Sequence, residues 1–129
     1  MKRQKISSKH APEAIGSYSQ AIASDNLLFV SGQLPFDPVS MQIVAGGIEA
    51  QARQAFDNVR AVANAAGAEL DDALKINLSM IDLAGFASVN AVMAEYFTVP
   101  YPARACVQVA ALPKDALIEI EAIIRLPDR

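Results

Sequence analysis

The chain has 129 residues, 53% of them hydrophobic and 19% charged, with a net charge of −3. That is the size and composition of one domain with a real core, spanning residues 1–129, and it excludes a disordered chain. Lys and Arg are spread thinly after Lys2, Arg3 and Lys5, which argues against a phosphate-binding surface and so against nucleic acid.

Residues 2–7 suit a short edge strand, and residues 11–16, with Pro12 and Gly16, a loop. Strands are predicted over Tyr18 to Ser24 and Leu27 to Ser31, joined at Asp25-Asn26 as a hairpin. Pro35, Asp37 and Pro38 mark a further loop. Ile48 to Ala66 is the clearest helix. At about 100° per residue, Ile48, Ala52, Ala55, Phe56, Val59, Val62, Ala63 and Ala66 fall on one arc, with Arg53, Asp57 and Arg60 opposite. Glu49 lies in its first turn, where the helix dipole favours an anion, and Gly67 stops it.

Leu74 to Met80 alternates, with Leu74, Ile76, Leu78 and Met80 on the buried side and Lys75, Asn77 and Ser79 on the other. A second helix is predicted over Phe86 to Phe97, with Phe86, Val89, Met93, Tyr96 and Phe97 on its inner stripe and Pro100 and Pro102 beyond its end. Arg104 to Ala110 and Ala116 to Ile124 are the last two strands.

This order predicts an α+β fold: one mixed six-stranded sheet with both helices packed on one face. The other face must then be polar or covered by another subunit. In the fifth strand Arg104, Cys106 and Gln108 form one row, and in the sixth Glu119 and Glu121 form another. Both rows are expected on the face away from the helices. Such a face is either solvated, with an ion pair that contributes little, or an interface that wraps a small anion. The planar Arg fork suits the second task, because it binds a carboxylate through two parallel hydrogen bonds.

Cys106 is the only cysteine, so no intramolecular disulfide is expected, and with His10 the only histidine a transition-metal site would lack ligands. The basic N-terminus has no apolar run behind it, unlike a secretory signal, and no stretch nears the roughly 20 apolar residues of a membrane span. Gly46-Gly47 precedes a helix but lacks the remaining residues of a phosphate loop. A cytoplasmic protein without cofactor, metal or membrane association is the expectation.

Six segments then fall in a telling order. They are Ala14-Ile15-Gly16-Ser17-Tyr18-Ser19-Gln20-Ala21, Val30-Ser31-Gly32-Gln33-Leu34-Pro35, the run from Gln51 to Val59, Val89-Asn90, Pro102-Ala103-Arg104-Ala105-Cys106-Val107 and Ile118-Glu119-Ile120-Glu121-Ala122. Together they resemble the RidA family, also called the YjgF family, over about Ala11 to Arg125. The resemblance implies a chorismate-mutase-like fold and a homotrimer, with active sites in clefts between subunits. It implies a 2-iminobutanoate/2-iminopropanoate deaminase, which hydrolyses enamines of the 2-aminoacrylate type and their imine tautomers to 2-keto acids and ammonia.

By the same resemblance Arg104 is the carboxylate anchor, and Glu119 holds or activates the attacking water. Tyr18 and Ser31 line the cleft, Asn90 is a site residue or supports one from the adjacent subunit, and Cys106 positions the ligand through its backbone or bulk rather than as a nucleophile; Gly32, a further substrate-site candidate, allows close backbone approach. Glu121, two residues on, is the weaker carboxylate candidate. Ser17, Ala105 and Gln108 depart from the family's usual proline, serine and glutamate, and Tyr101 is placed to narrow or lid the pocket. Two other readings stand beside this one: a non-catalytic trimer that senses keto acids, and a ribonuclease. The acidic balance and lone histidine argue against the ribonuclease.

Overall fold

Asp25 and Asn26 turn the chain between β2 (Ala21–Ser24) and β3 (Leu27–Gln33), which pair as an antiparallel hairpin. Asp25 takes a φ of 53° there, a left-handed conformation that Asp tolerates because its short side chain bonds locally. The computed structural model describes residues 2–128. β1 (Gln4–Ile6) adds to β2 at one edge of the sheet. Tyr18 lies in the loop before β2, not in the strand, which starts three residues later than the alternation suggested.

The long apolar arc forms α1 (Gly47–Ala65), with Ala52, Ala55, Phe56, Val59, Val62 and Ala63 buried as the 3.6-residue period requires. β4 (Ala73–Met80) follows, then α2 (Phe86–Tyr96), β5 (Ala103–Gln108) and β6 (Ile118–Arg125). The sheet order is β1-β2-β3-β6-β4-β5. β6 is inserted antiparallel between β3 and β4, and β5 runs parallel to β4 at the far edge. Each helix therefore carries the chain back along the sheet, and Phe56, Val59, Val89 and Met93 pack with Leu28, Ile76, Leu78, Ile118 and Ile120 in one core. Phe56 stacks on Tyr96 at 5.2 Å and meets Phe97 edge-on at 5.9 Å, which joins α1 to the end of α2.

Leu74 departs from its expected place. The β4–β6 register shifts between Ala73 and Lys75, so Ala73 turns inward and Leu74 is left 47% exposed. A one-residue irregularity moves a side chain to the other face.

Buried amides, which hydrophobic patterning does not reveal, tie the loops to the core. Gln20 bonds Ser8 through both ends of its amide and also donates to the Pro12 carbonyl. Gln51 accepts from the Leu117 N–H. Asn58, with no exposure, donates to the carbonyls of Leu34 and Phe36 at 3.0 Å each and accepts from Gln54. Replacing Asn58 by Ala strands both carbonyls, and is expected to lower the unfolding free energy by about 2–4 kcal/mol in a denaturant titration.

Among the described residues no helix is long and apolar enough to cross a membrane, and no three His, Cys, Asp or Glu side chains gather to hold a metal ion.

Candidate active site

β5 is an edge strand, so its register with β4 decides where its side chains point. Arg104 pairs with Ile76, Cys106 with Leu78 and Gln108 with Met80. Those β4 residues are buried under the helices, and partners in a ladder share a face. Glu119 and Glu121 instead pair with Ser79 and Asn77 on the open face. The expectation that the Arg104 row and the two glutamates share the open face is therefore corrected: the sheet separates them. Alternation defines two rows in β5, but Ala105 and Val107 are as apolar as Cys106, so polarity does not say which row faces the helices.

On the helix side Arg104 is held in place. Its Nη1 donates to Asn90 Oδ1 at 2.6 Å and lies 3.7 Å from Met93 Sδ, and its guanidinium carbon is 4.9 Å from the centre of the Phe86 ring. No ion pair joins it to Glu119 or Glu121 among the described residues. Nε and Nη2 have no protein partner there, which leaves two donor nitrogens of a pre-oriented fork for a ligand. Arg104 borders a cavity of about 360 Å³ lined also by Asn90, Met93, Ala94, Tyr101 and Pro102.

Tyr101 thus shares a cleft with Arg104. Asn90 supports the arginine of its own chain. Phe86 and Met93 were read from the sequence only as core, although the i, i+4, i+7 spacing of Phe86, Asn90 and Met93 places all three on one stripe of α2.

Cys106 is half-buried with its Sγ 3.7 Å from Met80 Sδ. Burial pushes its thiol pKa up, and the nearby Arg104 only partly opposes this. The thiol is thus protonated at neutral pH and is no activated nucleophile.

A second cluster lies on the open face. Val30 pairs with Ala122 and Gln33 with Ile120, so Ser31 and Gly32 together oppose Glu121 in a bulge. The Glu119 carboxyl sits directly on the Gly32 backbone. A Cβ at Gly32 would come within 2.6 Å of Glu119 Cδ and within 2.9 and 3.0 Å of its oxygens. Gly32 is therefore required for close approach rather than for its own φ. Gly32→Ala is expected to shift the carboxyl and lower turnover about 10- to 100-fold with the fold intact, checked by steady-state rates beside far-UV circular dichroism.

Burial holds the Glu119 pKa above its ordinary value, and the neighbouring charge of Glu121 adds to this. Glu121 itself is exposed and accepts from Asn77 Nδ2 at 3.0 Å. The Ser31 hydroxyl donates to the Ser19 carbonyl at 2.6 Å, tying the bulge to the loop that carries Tyr18. Tyr18 is 51% exposed, and its hydroxyl accepts from the Ile15 N–H at 3.3 Å. The predicted residues thus fall into two groups: Arg104, Asn90 and Cys106 on the helix side, and Glu119, Gly32, Ser31 and Tyr18 around the β3 bulge.

A mixed sheet with an inserted strand, an arginine fork at one edge and a partly buried carboxylate on the open face defines a small α+β protein. The endoribonuclease L-PSP family model matches residues 8–126. The chain belongs to that family, the RidA/YjgF family. It is 48% identical to a RutC family protein of Pyrococcus horikoshii over 121 residues, 94% of this chain and 96% of that one. It is 46% identical to the 2-iminobutanoate/2-iminopropanoate deaminase of Bos taurus, over 94% of this chain and 88% of that one. Among solved structures it matches RidA from an Antarctic Psychrobacter with a TM-score of 0.93 and 48% identity, covering 96% and 100% of the two chains. It matches Escherichia coli TdcF with bound serine with a TM-score of 0.90 and 40% identity, covering 96% and 99%.

Proposed function

We propose that this protein is a 2-iminobutanoate/2-iminopropanoate deaminase, hydrolysing 2-imino acids and their 2-aminoacrylate-type enamine tautomers to 2-keto acids and ammonia. The observation that carries this reading is Arg104, fixed by Asn90 and Phe86 beside a cavity with two donor nitrogens free of protein partners. Every 2-imino acid carries the carboxylate that such a fork binds. The deaminase named among the relatives and the serine held by TdcF, itself a 2-amino acid, support the same ligand skeleton.

In this mechanism Arg104 holds the carboxylate and Glu119 accepts a proton from water as its oxygen attacks C2 of the protonated imine. Glu119 returns that proton to nitrogen, the C–N bond breaks, and ammonia leaves as the C2 hydroxyl gives its own proton to Glu119 and becomes the carbonyl. Desolvation raises the basicity of Glu119, which suits a general base. The chemistry needs no cofactor.

Within one protomer Arg104 and Glu119 lie on opposite sides of the sheet. The reaction needs both at one substrate. The reading therefore includes a homotrimer in the cytoplasm, with Arg104, Asn90 and Cys106 of one subunit meeting Glu119, Gly32, Ser31 and Tyr18 of the next. The half-exposed apolar side chains of Phe29 and Val107 on the open face suit burial against another copy.

The test is to generate 2-aminoacrylate in situ with a serine dehydratase and follow keto-acid release. Acceleration by this protein supports the deaminase. Ligand binding without acceleration, by a folded oligomer, would replace it with the keto-acid sensor.

A further inference from the structure

The cleft beside Arg104 has a mixed lining. Arg104 and Asn90 supply its polar side-chain groups, and Met93, Ala94, Tyr101 and Pro102 complete it. The Asn90 amide oxygen is already engaged by Arg104, and the Met93, Ala94, Tyr101 and Pro102 side chains present mainly carbon.

That wall is held from both sides. Met93 and Ala94 belong to α2. Tyr101 and Pro102 end a loop that starts at buried Phe97 and is latched by Asp71, whose carboxylate accepts from both the backbone N–H and the hydroxyl of Thr98. A loop pinned at its first residues and entering β5 at its last has little freedom to withdraw Tyr101 from the cleft.

We propose that Met93, Ala94 and Tyr101 form the side-chain pocket of the site and select 2-imino acids with apolar side chains longer than methyl. The proposal rests on Arg104 as the carboxylate anchor. A carboxylate fixed there directs the C2 substituent along the cleft. A methyl group leaves most of the wall in contact with water, whereas a branched aliphatic chain covers it. Each methylene transferred from water to such a surface is worth about fourfold in affinity. At about 360 Å³ the cavity suits a small metabolite and not a macromolecular segment.

Binding of stable 2-oxo acids tests this without relying on turnover. Pyruvate and 4-methyl-2-oxopentanoate share the carboxylate and differ in the C2 substituent. Calorimetric titration of the wild-type oligomer is expected to show the branched acid binding about tenfold more tightly or better. Ala94 is exposed on α2, so a larger side chain there fills the cleft without entering the core. Ala94→Phe is expected to bring the ratio close to one. Tyr101→Ala, which opens the other side, is expected to reduce the ratio as well.

Equal affinities in the wild type, no binding of either acid, or a ratio unmoved in Ala94→Phe would each overturn the pocket. Keto-acid release from 2-aminoacrylate reports separately on the reaction. A selective pocket without turnover removes the deaminase, and turnover without selectivity removes the pocket.

Discussion

Arg104→Ala and Glu119→Gln are each expected to be nearly inactive alone, yet to recover about one quarter of the wild-type rate when mixed equally and allowed to exchange subunits. The arithmetic follows from a site shared between neighbours. In the proposed assembly each cleft takes its arginine from one subunit and its glutamate from the next. In a random mixture half the subunits retain each group, so about a quarter of the clefts hold both. Loss of two charge-assisted hydrogen bonds to a carboxylate should cost Arg104→Ala about 10²- to 10³-fold in kcat/KM. A site built within one protomer gives no recovery on mixing. Size-exclusion chromatography with light scattering gives the subunit number and checks that both variants assemble.

Glu119→Gln separates catalysis from stability. As a general base Glu119 must be ionised, so wild-type turnover should fall as pH drops through a pKa held above the ordinary 4.5. The variant should lose about 10²- to 10⁴-fold in kcat and that acidic limb with it. Stability should move the other way. A carboxyl whose folded pKa is raised binds its proton more tightly in the folded state. Its contribution is therefore greatest below the unfolded pKa and is lost as pH rises through the folded one. At neutral pH the half-buried charge opposes folding, and an amide of the same shape removes it. The melting temperature of Glu119→Gln at pH 7 should match or exceed the wild type, with the difference shrinking toward pH 4. A variant that is both inactive and clearly less stable at pH 7 would give Glu119 a structural role instead.

α1 was legible because its apolar arc, its acidic first turn and Gly67 all agree, and it forms within a residue of the expected bounds. β4 was legible through its alternation, except where the shift at Ala73 exposes Leu74. Tyr18 was misplaced because a strand start has no signal as firm as a helix cap. The largest miss concerned sidedness. The residues around Arg104 carry the family resemblance, but which side of the sheet Arg104 faces depends on its pairing with Ile76, a non-local contact. The bulge that seats Glu119 on Gly32 is equally non-local, since it arises from pairing with β6.

The two edges of the sheet are unlike. β1 carries Lys5, with Lys2 and Arg3 just before it, and cationic edges repel further strands. β5 offers a short run, Ala103–Gln108, whose only charge is Arg104 and whose outer backbone groups face no neighbouring strand in the protomer. A protomer released from its partners would therefore present an unguarded template for strand addition. In the proposed trimer, self-association would protect solubility as well as complete a cleft, and substitutions that loosen the assembly should surface first as precipitation rather than as monomer.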